Sequence, residues 1–208
     1  MFRFLATFIL ITSAALAERP ANWGQPVQGT TVKNLNRVTP WLYRSAQPDA
    51  AGMRELEKLG VKVAISFRHF HDDAKEARGT KFRLETVKMD AWHIDDESIA
   101  KALALLSRKE NGPFLVHCRH GSDRTGIVCA MYRIIEQNVS REDAIRELSG
   151  GGFGFHSIWT NIPRYLRNVD IEKVRHLRDG YAKELNGGAG RQAFQPHLRG
   201  TSPDPRSS

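Results

Sequence analysis

The stretch Phe114-Leu115-Val116-His117-Cys118-Arg119-His120-Gly121-Ser122-Asp123-Arg124-Thr125-Gly126 leaves the chain least freedom. An apolar run leads into a short polar segment bearing Gly121, and a largely apolar helical pattern follows over 125–137. This order predicts a strand, a tight loop and a helix, with the loop wrapped around one phosphate-sized anion. Backbone N–H groups of residues 119–124 can turn inward, as successive amides do in an anion-binding nest at a helix start. Cys118 then sits at the bottom of the loop. The thiolate is the nucleophilic form of a cysteine, and inward amide dipoles and a helix start favour it. Arg124 returns to the rim, where a planar guanidinium can grip two phosphate oxygens at once. The candidate phosphate-binding set is therefore Arg119, His120, Gly121, Ser122, Asp123 and Arg124, with Thr125 placed to hydrogen-bond the thiolate.

His117-Cys118-x5-Arg124-Thr125-Gly126 resembles the signature of the protein tyrosine phosphatase superfamily, in its small bacterial dual-specificity-like, cysteine-dependent branch. The resemblance extends over residues 38–175, although only 116–126 is highly specific. It implies phosphomonoester hydrolysis through a phosphocysteine, on phosphotyrosine, phosphoserine or phosphothreonine in proteins or on small phosphomonoesters. Two alternatives stay open: a catalytically silent phosphate-binding pseudophosphatase and an inositol-phosphate phosphatase. No cofactor or metal is implied. In the resembled family His117 orients the loop, and the segment Tyr43-Arg44-Ser45-Ala46-Gln47-Pro48 packs near it, which makes Ser45 a supporting candidate.

Such chemistry also needs a carboxylic acid for the leaving oxygen and a carboxylate to activate water. The family places this Asp some thirty residues ahead of the cysteine. Asp90, 28 residues before Cys118, suits that spacing, and Trp92 matches the aromatic of that loop. Asp96 is the alternative and Asp95 stands behind it, because both lie at a predicted helix start where capping explains at least one. Asp123 at the loop mouth disfavours a dense cluster of phosphates. Gly150–His156 reads either as one wall of the pocket or as a turn between helices.

The chain start reads as an export signal over 1–17: a short basic Met1-Phe2-Arg3, an apolar stretch to Leu16, and Ala15-Leu16-Ala17 before the cleavage point. An exported, periplasmic or secreted protein is expected, with no stable membrane span once the signal is removed. Residues 18–37 look like an irregular lead-in, 38–182 like the phosphatase domain, and 187–208 like a disordered tail rich in Gly, Pro, Ser and Arg. The net charge of +8 becomes +7 without Arg3 and suits an anionic substrate. Lysines and arginines are dispersed, which argues against a nucleic-acid face. Oligomeric state is not legible. Cys118 and Cys129 fall on one strand–loop–helix unit, so Cys129 reads as a small core residue and not as a disulfide partner.

Elsewhere the pattern predicts a short strand at 41–43 and a helix from Asp49 to Leu59 with Met53, Leu56 and Leu59 on its apolar face. Strands follow at 61–67 and 82–89, with a charged loop at 68–81 between them. Helices are expected at 96–108, 125–137, 141–148 and 162–182, the third of these behind a Ser140/Asp143 capping box. Alternating strands and helices imply one α/β domain with a central, mostly parallel sheet flanked by helices.

Overall fold

The computed structural model describes residues 19–187; the export-signal reading and the tail from 188 onward lie outside them. Short apolar runs become strands β1 (Gln25–Pro26), β2 (Asn36–Thr39), β3 (Leu42–Ser45), β4 (Val63–Ser66), β5 (Arg83–Thr86) and β6 (Phe114–His117), in one sheet of order β1-β2-β3-β6-β4-β5. β1, β2 and β3 pair antiparallel, whereas β3, β6, β4 and β5 are parallel. The strands β3, β6 and β4 are buried throughout, as parallel strands covered on both faces must be.

One face packs on α1 (Ala50–Lys58), where Met53 and Leu56 meet Tyr43, Ala64 and Leu115. The other face carries α2 (Asp96–Ser107), α3 (Asp123–Gln137), α4 (Arg141–Gly150), α5 (Asn161–Asn168) and α6 (Ile171–Asn186). Helix α3 lies deepest, with 12 of its 15 residues buried, so the loop that starts it is anchored in the core. The parallel register brings Ser45, His117, Ser66 and Thr86 to one carboxyl edge of the sheet, where ligands bind in such folds.

Several boundaries differ from the sequence expectation. Leu59 is the exposed C-cap of α1, not part of its buried face, because Gly60 at φ +85° ends the helix. The strands expected at 61–67 and 82–89 are shorter. The helix expected over 162–182 is two helices broken at Val169-Asp170, where the Asp170 carboxylate accepts the Lys173 N–H at 3.0 Å and starts α6. Apolar residues on both sides of the break, Leu166 and Val174, hide it from periodicity. Helix α3 begins at Asp123 rather than Thr125, and α4 runs on to Gly150. The lead-in is not irregular throughout: it contributes β1, the start of β2 and the buried Val32 and Leu35. Cys118 and Cys129 are both buried and free, and burial pushes the Cys129 thiol up.

Candidate active site

Residues 118–122 link β6 to α3; the carbonyls of Arg119, His120 and Gly121 are held from outside the loop and that of Ser122 by the first turn of α3. Arg119 O accepts the Gln47 N–H at 3.2 Å, and His120 O accepts Asn34 Nδ2 at 3.0 Å. Gly121 O accepts Arg44 Nη2 at 2.8 Å, and Ser122 O accepts the Gly126 N–H at 2.8 Å. In a trans peptide unit the C=O and the next N–H point in opposite directions. Four carbonyls held in this way therefore turn the N–H groups of His120, Gly121, Ser122 and Asp123 into the loop. This is the geometry of an anion cradle. Gly121 adopts φ +72°, and a Cβ there would lie 2.4 Å from the Ser45 carbonyl, so the loop comes this close to β3 only with glycine.

Cys118 directly follows β6, almost fully buried at the base of the loop. Arg124, in the first turn of α3, donates from Nη1 to Phe67 O at 3.2 Å, just beyond β4. The structure thus brings Cys118, the loop amides and Arg124 to the same carboxyl edge. Ser45 is fully buried and its hydroxyl donates to Ala46 O at 2.6 Å, while its backbone carbonyl lies against Gly121. Thr125 is also fully buried, but its hydroxyl has no hydrogen-bond partner among the described residues, so the expected bond to Cys118 is not made. Asp123 does not face the loop mouth as a free charge. Its carboxylate accepts the His156 N–H at 3.0 Å and pairs with His156 Nδ1 at 2.8 Å. His156 in turn lies 5.5 Å from the His120 ring, so the 150–156 segment does border the loop.

The three acid candidates separate clearly. Asp95 caps α2 by accepting the Ser98 N–H at 2.7 Å. Asp96 accepts the Tyr165 hydroxyl at 2.9 Å and pairs with Lys173 at 2.8 Å, which binds it to α5 and α6. Burial, followed by the bond to Asp96, pushes the Tyr165 phenol far up. Asp90 lies in the β5–α2 connection at the carboxyl edge, partly exposed, 3.1 Å from His69 Nε2. His69 stands in the connection leaving β4, so this contact brings two loops together on the same side of the sheet. Trp92 nearby is largely exposed.

Asp73 escaped the sequence reading. It sits in the 68–81 loop yet is buried, with Oδ2 2.7 Å from His117 Nε2 and Oδ1 accepting Gln47 Nε2 at 2.8 Å. Burial raises its carboxyl, but the His117 hydrogen bond and charge, the Gln47 amide and His71 outweigh that and hold it below the usual carboxylate range. His117 is thereby fixed one residue before Cys118, and Gln47 links the same network to Arg119 O. A polar residue 44 positions away in a charged loop carries no local signal of this contact. Among the described residues no cluster of His, Cys, Asp and Glu is arranged to hold a metal ion, and no helix is long and apolar enough to cross a membrane.

The sequence pattern of the tyrosine phosphatase family matches residues 30–142. The dual specificity protein phosphatase TpbA of Pseudomonas aeruginosa is 35% identical over 174 residues, spanning 83% of this chain and 78% of TpbA. A crystal structure of a cysteine-to-serine TpbA variant in complex with pTyr superposes with a TM-score of 0.67 at 34% identity, covering 79% of this chain and 99% of that one. An Arabidopsis thaliana inositol diphosphatase, DSP4, is 29% identical over 112 residues, half of this chain and 57% of its own length. The loop geometry and these likenesses agree: the chain belongs to the tyrosine phosphatase family and is a cysteine-dependent, dual-specificity-like phosphatase.

Proposed function

We propose that this phosphatase acts on phosphotyrosine, phosphoserine or phosphothreonine in proteins, or on small phosphomonoesters, with Cys118 as nucleophile and Asp90 as general acid. Cys118 Sγ attacks phosphorus; the S–P bond forms as the bond to the leaving oxygen breaks, and Asp90 gives that oxygen its proton. The inward amides of residues 120–123 and the Arg124 guanidinium hold the equatorial oxygens, where charge is greatest in the transition state. Water then attacks phosphorus, the Asp90 carboxylate takes its proton, and the S–P bond breaks to return the thiolate and free phosphate. The observation that carries this reading is the tethering of four successive loop carbonyls directly after Cys118.

Asp90 is preferred because Asp95 caps α2 and Asp96 is bound to both Tyr165 and Lys173, whereas Asp90 stands partly exposed in a loop at the carboxyl edge beside His69. The pTyr complex of TpbA supports phosphotyrosine among the substrates. Inositol phosphates remain a second reading. Asp123 is turned to His156, whose backbone N–H and ring Nδ1 it meets, and the exposed Arg119 lends the loop mouth positive charge. The segment 1–17, with its basic start, apolar stretch and Ala15-Leu16-Ala17, supports action outside the cytoplasm.

Hydrolysis of a small aryl phosphate, assayed with reductant and EDTA, tests the mechanism. Activity should persist in EDTA, vanish in Cys118→Ser and fall about 100-fold or more in Asp90→Asn. A Cys118→Ser protein that hydrolyses at the wild-type rate would sink the thiol mechanism.

A further inference from the structure

Behind the phosphate loop, on the side away from its amides, two guanidinium groups flank the Phe153 ring and a third is paired with Glu147. Arg44 is 1% exposed; its Cζ lies 3.8 Å from the centroid of the buried Phe153 ring, and its Nη2 donates to Gly121 O at 2.8 Å. Arg19 approaches the same ring at 4.7 Å and is anchored by Gly24 O at 2.6 Å and Asn36 Oδ1 at 2.7 Å. Arg133 takes both oxygens of Glu147, at 2.9 and 3.0 Å. Burial, and then the charge of Arg44, weakens the hold of Arg19 on its proton, whereas Glu147 opposes this. Glu147, the carboxylate of this cluster, is taken up by Arg133. Among the described residues Arg44 forms no ion pair, and its buried Nε has no hydrogen-bond partner.

A buried cation without a counter-charge costs several kcal/mol, so a site that keeps one is built for an anion. The nearest place for an anion is across a single peptide unit. Gly121 C=O, which Arg44 binds, and Ser122 N–H, which faces into the loop, belong to that unit. A charge-assisted bond at the carbonyl polarises the unit and strengthens its N–H as a donor. We propose that Arg44 is a second cation for the bound phosphoryl group. It acts from beneath the loop through the Gly121–Ser122 peptide, opposite Arg124 at the rim. Arg44 is a positioning residue, with Phe153 as the platform that keeps its guanidinium flat and dry. Arg19 adds to the same positive field without touching the loop.

This inference rests on the phosphatase reading of the same loop, but its test needs no turnover. Inorganic phosphate is titrated calorimetrically into the full chain in a Cys118→Ser background. Arg44→Met should weaken binding about 10- to 100-fold. Arg44→Lys keeps the charge and should stay within about threefold of the parent, and Arg19→Gln should lose about twofold. A mere brace predicts equal losses for the Lys and Met variants, since neither rebuilds the stacked, forked contact. Equal losses, or an Arg44→Met protein that binds within twofold of its parent, would overturn the proposal. If Arg44→Met does not fold, Arg19→Gln decides, and unchanged phosphate binding there would refute the shared field. A parent that binds phosphate while the wild type hydrolyses nothing would sink the proposed function and leave this inference standing.

Discussion

Substitution of Gly121 by alanine tests the loop geometry most directly. Its added methyl would lie 2.4 Å from the Ser45 carbonyl carbon and oxygen and 2.6 Å from Ala46 N, all backbone atoms of a central strand end. Ordinary contact begins at 3.4 Å, so the loop must retreat by about 1 Å. The φ of +72° adds strain of about 1 kcal/mol for an L side chain. Retreat would stretch the 2.8 Å bond from Arg44 to Gly121 O and the 3.0 Å bond from Asn34 to His120 O, which turn the amides inward. A displacement of about 1 Å in a catalytic constellation costs roughly 100-fold in rate. The expected result for Gly121→Ala is a kcat/KM on aryl phosphate lowered about 100-fold. The stability loss should be about 2–4 kcal/mol, or roughly 5–15 °C in Tm. Gly60→Ala is the control. It shares a positive φ, +85°, but a Cβ there meets nothing within 4 Å, so about 1 kcal/mol should be lost with activity unchanged. A folded Gly121→Ala enzyme with kcat/KM within about threefold of wild type would refute the argument that this glycine sets the cradle.

Asp73→Asn removes a buried charge-assisted bond to His117 and should cost about 1.5–3 kcal/mol at pH 7 by chemical denaturation. Because the folded-state carboxyl is held below its ordinary value, that stabilisation is complete above the unfolded value near pH 4 and fades as pH falls through the folded one. The gap between wild type and Asp73→Asn should therefore close in acid; a gap that widens below pH 4 would contradict the sign. Asp96→Asn should lower Tm by a few degrees through its bond to Tyr165 while kcat stays within about twofold. A large kcat loss there, with Asp90→Asn nearly normal, would exchange the two acid assignments.

Much of the site was legible because its parts are neighbours in the chain. Cys118, Arg124 and the amides between them occupy one short run, and the strand before it and helix after it have their own apolar periods. The α1 cap at Asp49 and the α4 cap at Ser140 were equally local, since a side-chain oxygen reaching an N–H three residues on is written in four letters. The break between α5 and α6 was not legible, because apolar spacing continues through it and only packing decides where the chain bends.

By itself, then, the sequence determined the family, the nucleophile loop and the α/β alternation, all of which rest on contacts between residues near in the chain. Tertiary structure alone decided which carboxylates are free. It drew Asp96 to Tyr165 and Lys173, paired Asp123 with His156, and buried Asp73 against His117. It also set Arg44, Asn34 and Gln47 behind the loop, from segments more than 70 residues away. A charged side chain looks the same in sequence whether it meets water or a partner; burial and the direction of its hydrogen bonds exist only once distant strands are side by side.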